Sequence, residues 1–298
     1  SRGLGDVYKR QVPSWEEVKA EDKDKMILHI DPGTAFGTGM HETTQLVIRQ
    51  LKKFVKPGME ILDVGTGSGI LGIVALKLGA GHVVGTDLDP CAVPAVSENK
   101  EANQIEEKSF DMMIGNIIDD KEVQDQVGYE KYDIVTAAGM VNWVDRDLFL
   151  ENMGHALQDQ GILLIYDFWI IDKMQGNDAY TNWYHEEYLK RFPKPPRNEN
   201  TWKQSELPDY FHIKNQITYE LFYDFSMEQF IDFMMIQSNV NTKIENGEVS
   251  EVEARDWFKN SLSPVFENRK KTLYFTGYSW YLYKSAVQRY SLCPTKAP

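Results

Sequence analysis

The stretch Ile61-Leu62-Asp63-Val64-Gly65-Thr66-Gly67-Ser68-Gly69-Ile70 carries an acid near the end of an apolar run, then three alternating glycines, then a second apolar run. That order suits a buried strand, a tight turn and a helix start. Glycine at Gly65, Gly67 and Gly69 lets the backbone approach a ligand and adopt positive φ. The helix N-terminus that follows leaves free N–H donors pointing the same way. Asp63 can meet a cationic group, directly or through water. The overlapping pattern Gly67-Ser68-Gly69-Ile70-Leu71-Gly72 also satisfies GxGxxG, a dinucleotide signature, so the turn alone leaves the ligand open.

A second acid narrows it. Asp87 closes Val83-Val84-Gly85-Thr86-Asp87-Leu88-Asp89-Pro90, where a carboxylate can accept both ribose hydroxyls of an adenosine. Asp87 and the adjoining Leu88 are therefore assigned to an adenosine, while Asp89 is better suited to capping the next helix. The adenosine is shared by NAD and S-adenosyl-L-methionine. Gly115-Asn116 follows the third strand, and Asn116 is placed to meet an adenine amino group or simply to form a turn.

The segment Asp31-Pro32-Gly33-Thr34-Ala35-Phe36-Gly37-Thr38-Gly39-Met40-His41-Glu42-Thr43-Thr44 separates the two cofactors. It closely resembles the loop that the ribosomal protein L-eleven methyltransferase family carries before its first strand. The resemblance continues through Asp63 to Gly69, Leu71 to Ala80, Gly85 to Asp89 and Glu98-Asn99, covers residues about 12–108, and fades beyond. It implies S-adenosyl-L-methionine as cofactor, a ribosomal protein as substrate and a Rossmann-like class I fold. It further implies that Thr44, Gly65 and Asp87 contact the cofactor and that Phe36 and His41 lie beside its methionine end. His41 is also the one candidate for a catalytic base in the matched region.

After about residue 135 the resemblance changes. The family ends its fourth strand in an Asn, whereas Tyr132-Asp133-Ile134-Val135-Thr136-Ala137-Ala138-Gly139-Met140 has none before Asn142. Ala137 to Trp143 and Gly161 to Ile165 instead resemble small-molecule class I methyltransferases. Two accounts fit: a divergent single gene, or a chimera joined near Tyr132 to Val135. The expected function is methylation of amino groups of the ribosomal protein. The alternatives are a small-molecule carboxylate or hydroxyl methyltransferase and, more distantly, a non-catalytic cofactor binder or an NAD-dependent oxidoreductase.

The elements that must position these residues form an α/β alternation. Strands are expected at Glu60–Val64, His82–Thr86, Phe110–Ile114, Tyr132–Thr136 and Ile162–Tyr166, with helices at Thr43–Val55, Ile70–Leu78, Pro90–Asn103 and Arg146–Leu157. This predicts a doubly wound, mostly parallel sheet. Tyr166 to Phe225 then holds fifteen aromatic residues, which at this density read more as the core of a helical cap than as a substrate box. Ser226 with Gln229 and Ser250 with Glu253 each fit a capping box, and Thr272–Lys284 reads as one or two closing strands. The expected organisation is a pre-strand loop and helix (12–58), a cofactor-binding core (59–167) and an aromatic-rich helical cap with closing strands (168–298). Residues 1–11 resemble the translation of a sequencing adapter and are set apart as a non-native leader.

Composition bounds the rest. With 298 residues and a formal net charge of -13, a nucleic-acid footprint is disfavoured, since it needs a basic face. Two cysteines, Cys91 and Cys293, build neither a disulfide framework nor a thiolate metal site. No run approaches the ~20 apolar residues of a membrane span and no signal-peptide core opens the chain, so a cytoplasmic location is expected, with no metal and no direct nucleic-acid or membrane partner. Composition leaves the oligomeric state open. Were the acceptor a lysine, removing its proton at neutral pH would cost roughly 4.6 kcal/mol, which burial or a base must offset.

Overall fold

Ile61, Leu62 and Val64 are buried on both faces, as expected of a strand in the middle of a parallel sheet. The computed structural model describes residues 9–12, 26–29, 50–194 and 202–286. Phe36, His41, Thr44 and most of the expected helix Thr43–Val55 lie outside the described residues, although residues 50–54 are helical.

Two short strands come first, β1 (Lys9–Val12) and β2 (Met26–His29), paired parallel to each other. Neither was anticipated: Met26-Ile27-Leu28 is too short an apolar run to show a period. The main sheet begins with β3 (Glu60–Val64), β4 (His82–Asp87), β5 (Phe110–Ile114), β6 (Tyr132–Ala138) and β7 (Leu157–Met174). All five stand where the alternation predicts them. It is completed by β8 (Phe211–Phe225) and β9 (Lys271–Lys284), in the order β5-β4-β3-β6-β7-β9-β8. The pairings β5–β4, β4–β3, β3–β6 and β6–β7 are all parallel. The order therefore reverses direction between β3 and β6. In an open α/β sheet that crevice, at the carboxyl ends of the strands, is where ligands bind.

Contacts divide the chain into two compact units: residues 1–166, 200–216 and 280–298, and residues 167–199 with 217–279. The divisions fall inside β7, β8 and β9. In the first unit the helices α1 (Ile70–Lys77), α2 (Ala92–Ala102), α3 (Lys121–Val127) and α4 (Arg146–Ala156) connect the strands. Helix α1 is free of polar side chains up to its last residue, Lys77, and buried from Ile70 to Ala75. It ends as predicted at Gly79, whose φ of 105° follows the cap residue Leu78.

The second unit has an aromatic core. Helices α5 (Asp178–Asn182) and α6 (Leu189–Arg191) flank a π-helical stretch, Trp183–Tyr188, whose rings pack on one another and on the later helices. Trp183 stacks on Tyr188 with centroids 5.5 Å apart, and Phe192 on Phe258 at 5.4 Å. Both predicted capping boxes form, Ser226 with Gln229 ahead of α7 (Met227–Met235) and Ser250 with Glu253 ahead of α9 (Glu251–Phe266); α8 (Ser238–Glu245) lies between them. The aromatic-rich region is less helical than expected, because β7 runs on to Met174 and β8 stands where no strand was assigned. The reason is visible in β8. As the outermost strand it exposes His212, Lys214, Asn215 and Gln216, charged and polar residues that blunt an edge and hide the period of two.

Candidate functional site

Four connections meet at the carboxyl ends of β3, β4, β5 and β6, all within the first unit. The first is the glycine turn between β3 and α1, where Gly65, Gly67 and Gly69 adopt φ of 69°, 53° and 77°. Only glycine takes this left-handed conformation without strain, so the alternation in sequence is a backbone requirement. The amides of Gly65 and Thr66 donate to the Thr86 carbonyl of β4 at 2.8 and 3.0 Å. The Gly67 amide donates to Asp87 Oδ2 at 2.7 Å.

Asp87 thus has a role within the protein that the sequence did not reveal. Its Oδ2 holds the turn and its Oδ1 accepts the Asp89 amide at 3.0 Å. Each carboxylate oxygen keeps further acceptor capacity, and the residue is half-buried, beside the exposed Leu88. Asp89 accepts the Cys91 amide just ahead of α2; it is not the cap expected of it, since the N-cap residue is Cys91, without a side-chain cap bond.

Asp63 is enclosed. Its side chain is fully buried, Oδ2 accepting the Thr66 hydroxyl and Oδ1 the Thr136 hydroxyl, both at 2.6 Å. Burial pushes its pKa up to about 6, against the two hydroxyls and the Gly72 amide, which favour the ionised form; the nearby negative charge of Asp87 adds to the rise. Asn116 turns inward on its own loop: its Oδ1 accepts the Ile118 amide at 3.0 Å and its carbonyl the Asp120 amide. The preceding Gly115 donates to the Asp87 carbonyl.

Sequence reasoning missed Met140 and Thr136. Met140 follows β6 and lies against the glycine turn, its Cγ 3.2 Å from where a Cβ on Gly65 would be. Trp143, nearly half exposed, ends the short helical turn Val141–Trp143 beyond it. Thr136 could have been suspected as a hydroxyl within the apolar run Ile134-Val135-Thr136-Ala137, but its partner emerges only from the β3–β6 register, which sets it opposite Asp63.

A cleft of about 380 Å³, lined by Tyr129, Glu130, Gly154, His155, Tyr210 and Lys284, lies at the start of β6. That is the amino end of the strand, whereas the glycine turn lies at the carboxyl ends, so the cleft is separate from this site. Among the described residues no group of three or more His, Cys, Asp or Glu could hold a metal, and no helix is long and apolar enough to cross a membrane.

The profile of the family described as ribosomal protein L11 methyltransferase (PrmA) matches residues 10–187. The chain belongs to this family. The match runs through Tyr132 to Val135, where the sequence patterns change resemblance. Among curated relatives, the ribosomal protein L11 methyltransferase of Lachnospira eligens is 58% identical over 134 residues, 45% of this chain and 42% of the relative. That of Agathobacter rectalis is 55% identical over 137 residues, again 45% and 42%. The chain thus spans about two fifths of the length of the curated relatives it matches. Two solved structures share the fold at low identity. One, described as a type II methyltransferase from Anaeromyxobacter dehalogenans, has a TM-score of 0.56 at 14% identity and covers 81% of this chain and 95% of its own. The other, described as a methyltransferase from Bacillus halodurans, has a TM-score of 0.50 at 17% identity, covering 80% and 99%. The fold is accordingly the Rossmann-like α/β fold of methyltransferases.

Proposed function

We propose that the chain is an S-adenosyl-L-methionine-dependent methyltransferase that acts on amino groups of ribosomal protein L11 in the cytoplasm. The observation that carries this reading is a glycine turn of three positive-φ residues at the switch point of the sheet, in a chain of this family. The donor set fits the cofactor. Asp87 retains acceptor capacity for a ribose diol beside the exposed apolar Leu88, and the Gly65–Gly69 backbone is bare of side chains at its glycines. Gly65, Gly67, Gly69, Asp87, Leu88 and Asn116 would line the cofactor, with Asp63 behind the turn, Thr44 a further contact and Phe36 and His41 beside the methionine end. In this reading residues 12–58 supply the pre-strand loop and helix of the cofactor site, 59–167 the S-adenosyl-L-methionine-binding core and 168–298 a helical cap with closing strands.

The bound cofactor supplies an electrophilic methyl group on a cationic sulfur. The protein's task is alignment and exclusion of water. An acceptor amine must lose its ammonium proton before the methyl transfer, and His41 is the residue proposed to take it; Asn142 and Trp143 would shape the acceptor site. Labelled S-adenosyl-L-methionine offered with ribosomal protein L11, and in parallel with a panel of small carboxylic acids, tests the assignment. Label in the ribosomal protein is expected; label only in a small acid would move the acceptor class. Calorimetry with S-adenosylhomocysteine and NAD tests the cofactor, and binding of NAD alone would overturn the reading.

A further inference from the structure

The two oxygens of Asp63 are divided between two elements. Oδ2 holds Thr66, inside the glycine turn, and Oδ1 holds Thr136, on β6 across the switch point. On the opposite side the turn is tied to β4 through the Thr86 carbonyl. The turn is therefore held from both neighbouring strands, and the β6 side depends on one buried carboxylate, against which no cation stands among the described residues. Such a group is stable only while its hydrogen-bond donors stay in place. Among the described residues the donors acting on it are Thr66 from the turn, Thr136 from β6 and the Gly72 amide from α1, while Asp87 of β4 is the charge that faces it.

We infer that Asp63 is a positioning residue: it shapes the Gly65–Gly69 turn through Thr66 and Thr136 and does not itself touch the cofactor. The inference rests on the proposed cofactor site. Ionised, Asp63 accepts both hydroxyls. Protonated, one of its oxygens becomes a donor, and one threonine must turn away or reverse its hydrogen bond. With a pKa of about 6, cofactor affinity should fall as pH is lowered through that value.

The test is calorimetric titration of the whole chain with S-adenosylhomocysteine from about pH 5 to pH 8, using wild type, Thr136→Val, Thr136→Ser and Asp63→Asn. Thr136→Val should bind about tenfold more weakly at pH 8, with its pH midpoint raised, and Thr136→Ser should restore both. Asp63→Asn, which like the protonated acid keeps one acceptor oxygen and presents a donor, should bind at every pH about as weakly as wild type binds near pH 5, with a flat profile. A folded Asp63→Asn protein that has lost binding at every pH, with Thr136→Val unaffected, would show that Asp63 touches the ligand and overturn the inference. Carbon-13 NMR titration of the Asp63 carboxyl needs no ligand. A midpoint near 6 that rises in Thr136→Val supports the clamp, and equal midpoints sink it. Absence of S-adenosylhomocysteine binding by wild type at all pH would instead refute the cofactor reading, and the NMR result would still decide the clamp.

Discussion

Gly65 and Met140 meet at the reversal point of the sheet: a Cβ on Gly65 would lie 3.2 Å from Met140 Cγ, and Gly65 itself has φ of 69°. Two separate penalties thus guard this glycine, a contact that a flexible side chain can relieve and a backbone conformation that it cannot. Gly65→Ala should destabilise the chain by about 1–2 kcal/mol. Adding Met140→Ala should recover only the contact part. Thermal unfolding of the single and double variants checks this, and full recovery in the double variant would mean the backbone conformation is not strained.

Asp63 makes stability depend on pH with a definite sign. Its folded pKa of about 6 lies above the ordinary 3.8, so the folded state holds a proton that the unfolded state has released. Where both states are ionised, above about pH 6, burial of the charge costs stability. That cost disappears as pH falls through 6 toward 3.8, a gain on the order of 3 kcal/mol from this group. Denaturant unfolding of wild type and Asp63→Asn across this window should show wild type gaining on the variant as pH is lowered. The opposite slope would mean the carboxylate is stabilised in its ionised form.

Asp87 is expected to matter twice, for the turn and for the ligand. Asp87→Ala removes the acceptor of the Gly67 amide and, in the proposed function, the ribose acceptor. S-adenosylhomocysteine affinity should fall by about 2–3 kcal/mol, with a smaller loss for Asp87→Asn, which keeps one acceptor oxygen. Equal affinity in wild type and Asp87→Ala would remove Asp87 from the cofactor site.

Ser250, in the second unit, offers a contrast. It caps α9 by accepting the Glu253 amide, while Glu253 returns to the Ser250 amide. Ser250→Ala should cost about 1 kcal/mol of stability and leave S-adenosylhomocysteine affinity unchanged. A lowered affinity at unchanged stability would show that this helix bears on the site.

The site was legible where its requirements are local. The spacing of Gly65, Gly67 and Gly69 follows from three positive-φ positions, each satisfied within a few residues. Asp87 was legible as the acid closing a strand, and its hold on the Gly67 amide was not, because that bond joins connections from two different strands. The edge strand β8 escaped because its exposed polar residues mask the alternation that marks a half-buried strand.

By itself the sequence determined the order of elements, the glycine turn, the α1 terminator at Gly79 and both capping boxes, since each is a property of short stretches of chain. Only the tertiary structure decided what Asp63 faces. Its partner Thr136 is 73 residues away and is brought opposite it by the β3–β6 register, and Met140 reaches Gly65 through the same pairing. Which strands become neighbours is settled by burial of whole faces across the sheet. A window along the chain does not contain that information, so the identity of the acid was readable and the company it keeps was not.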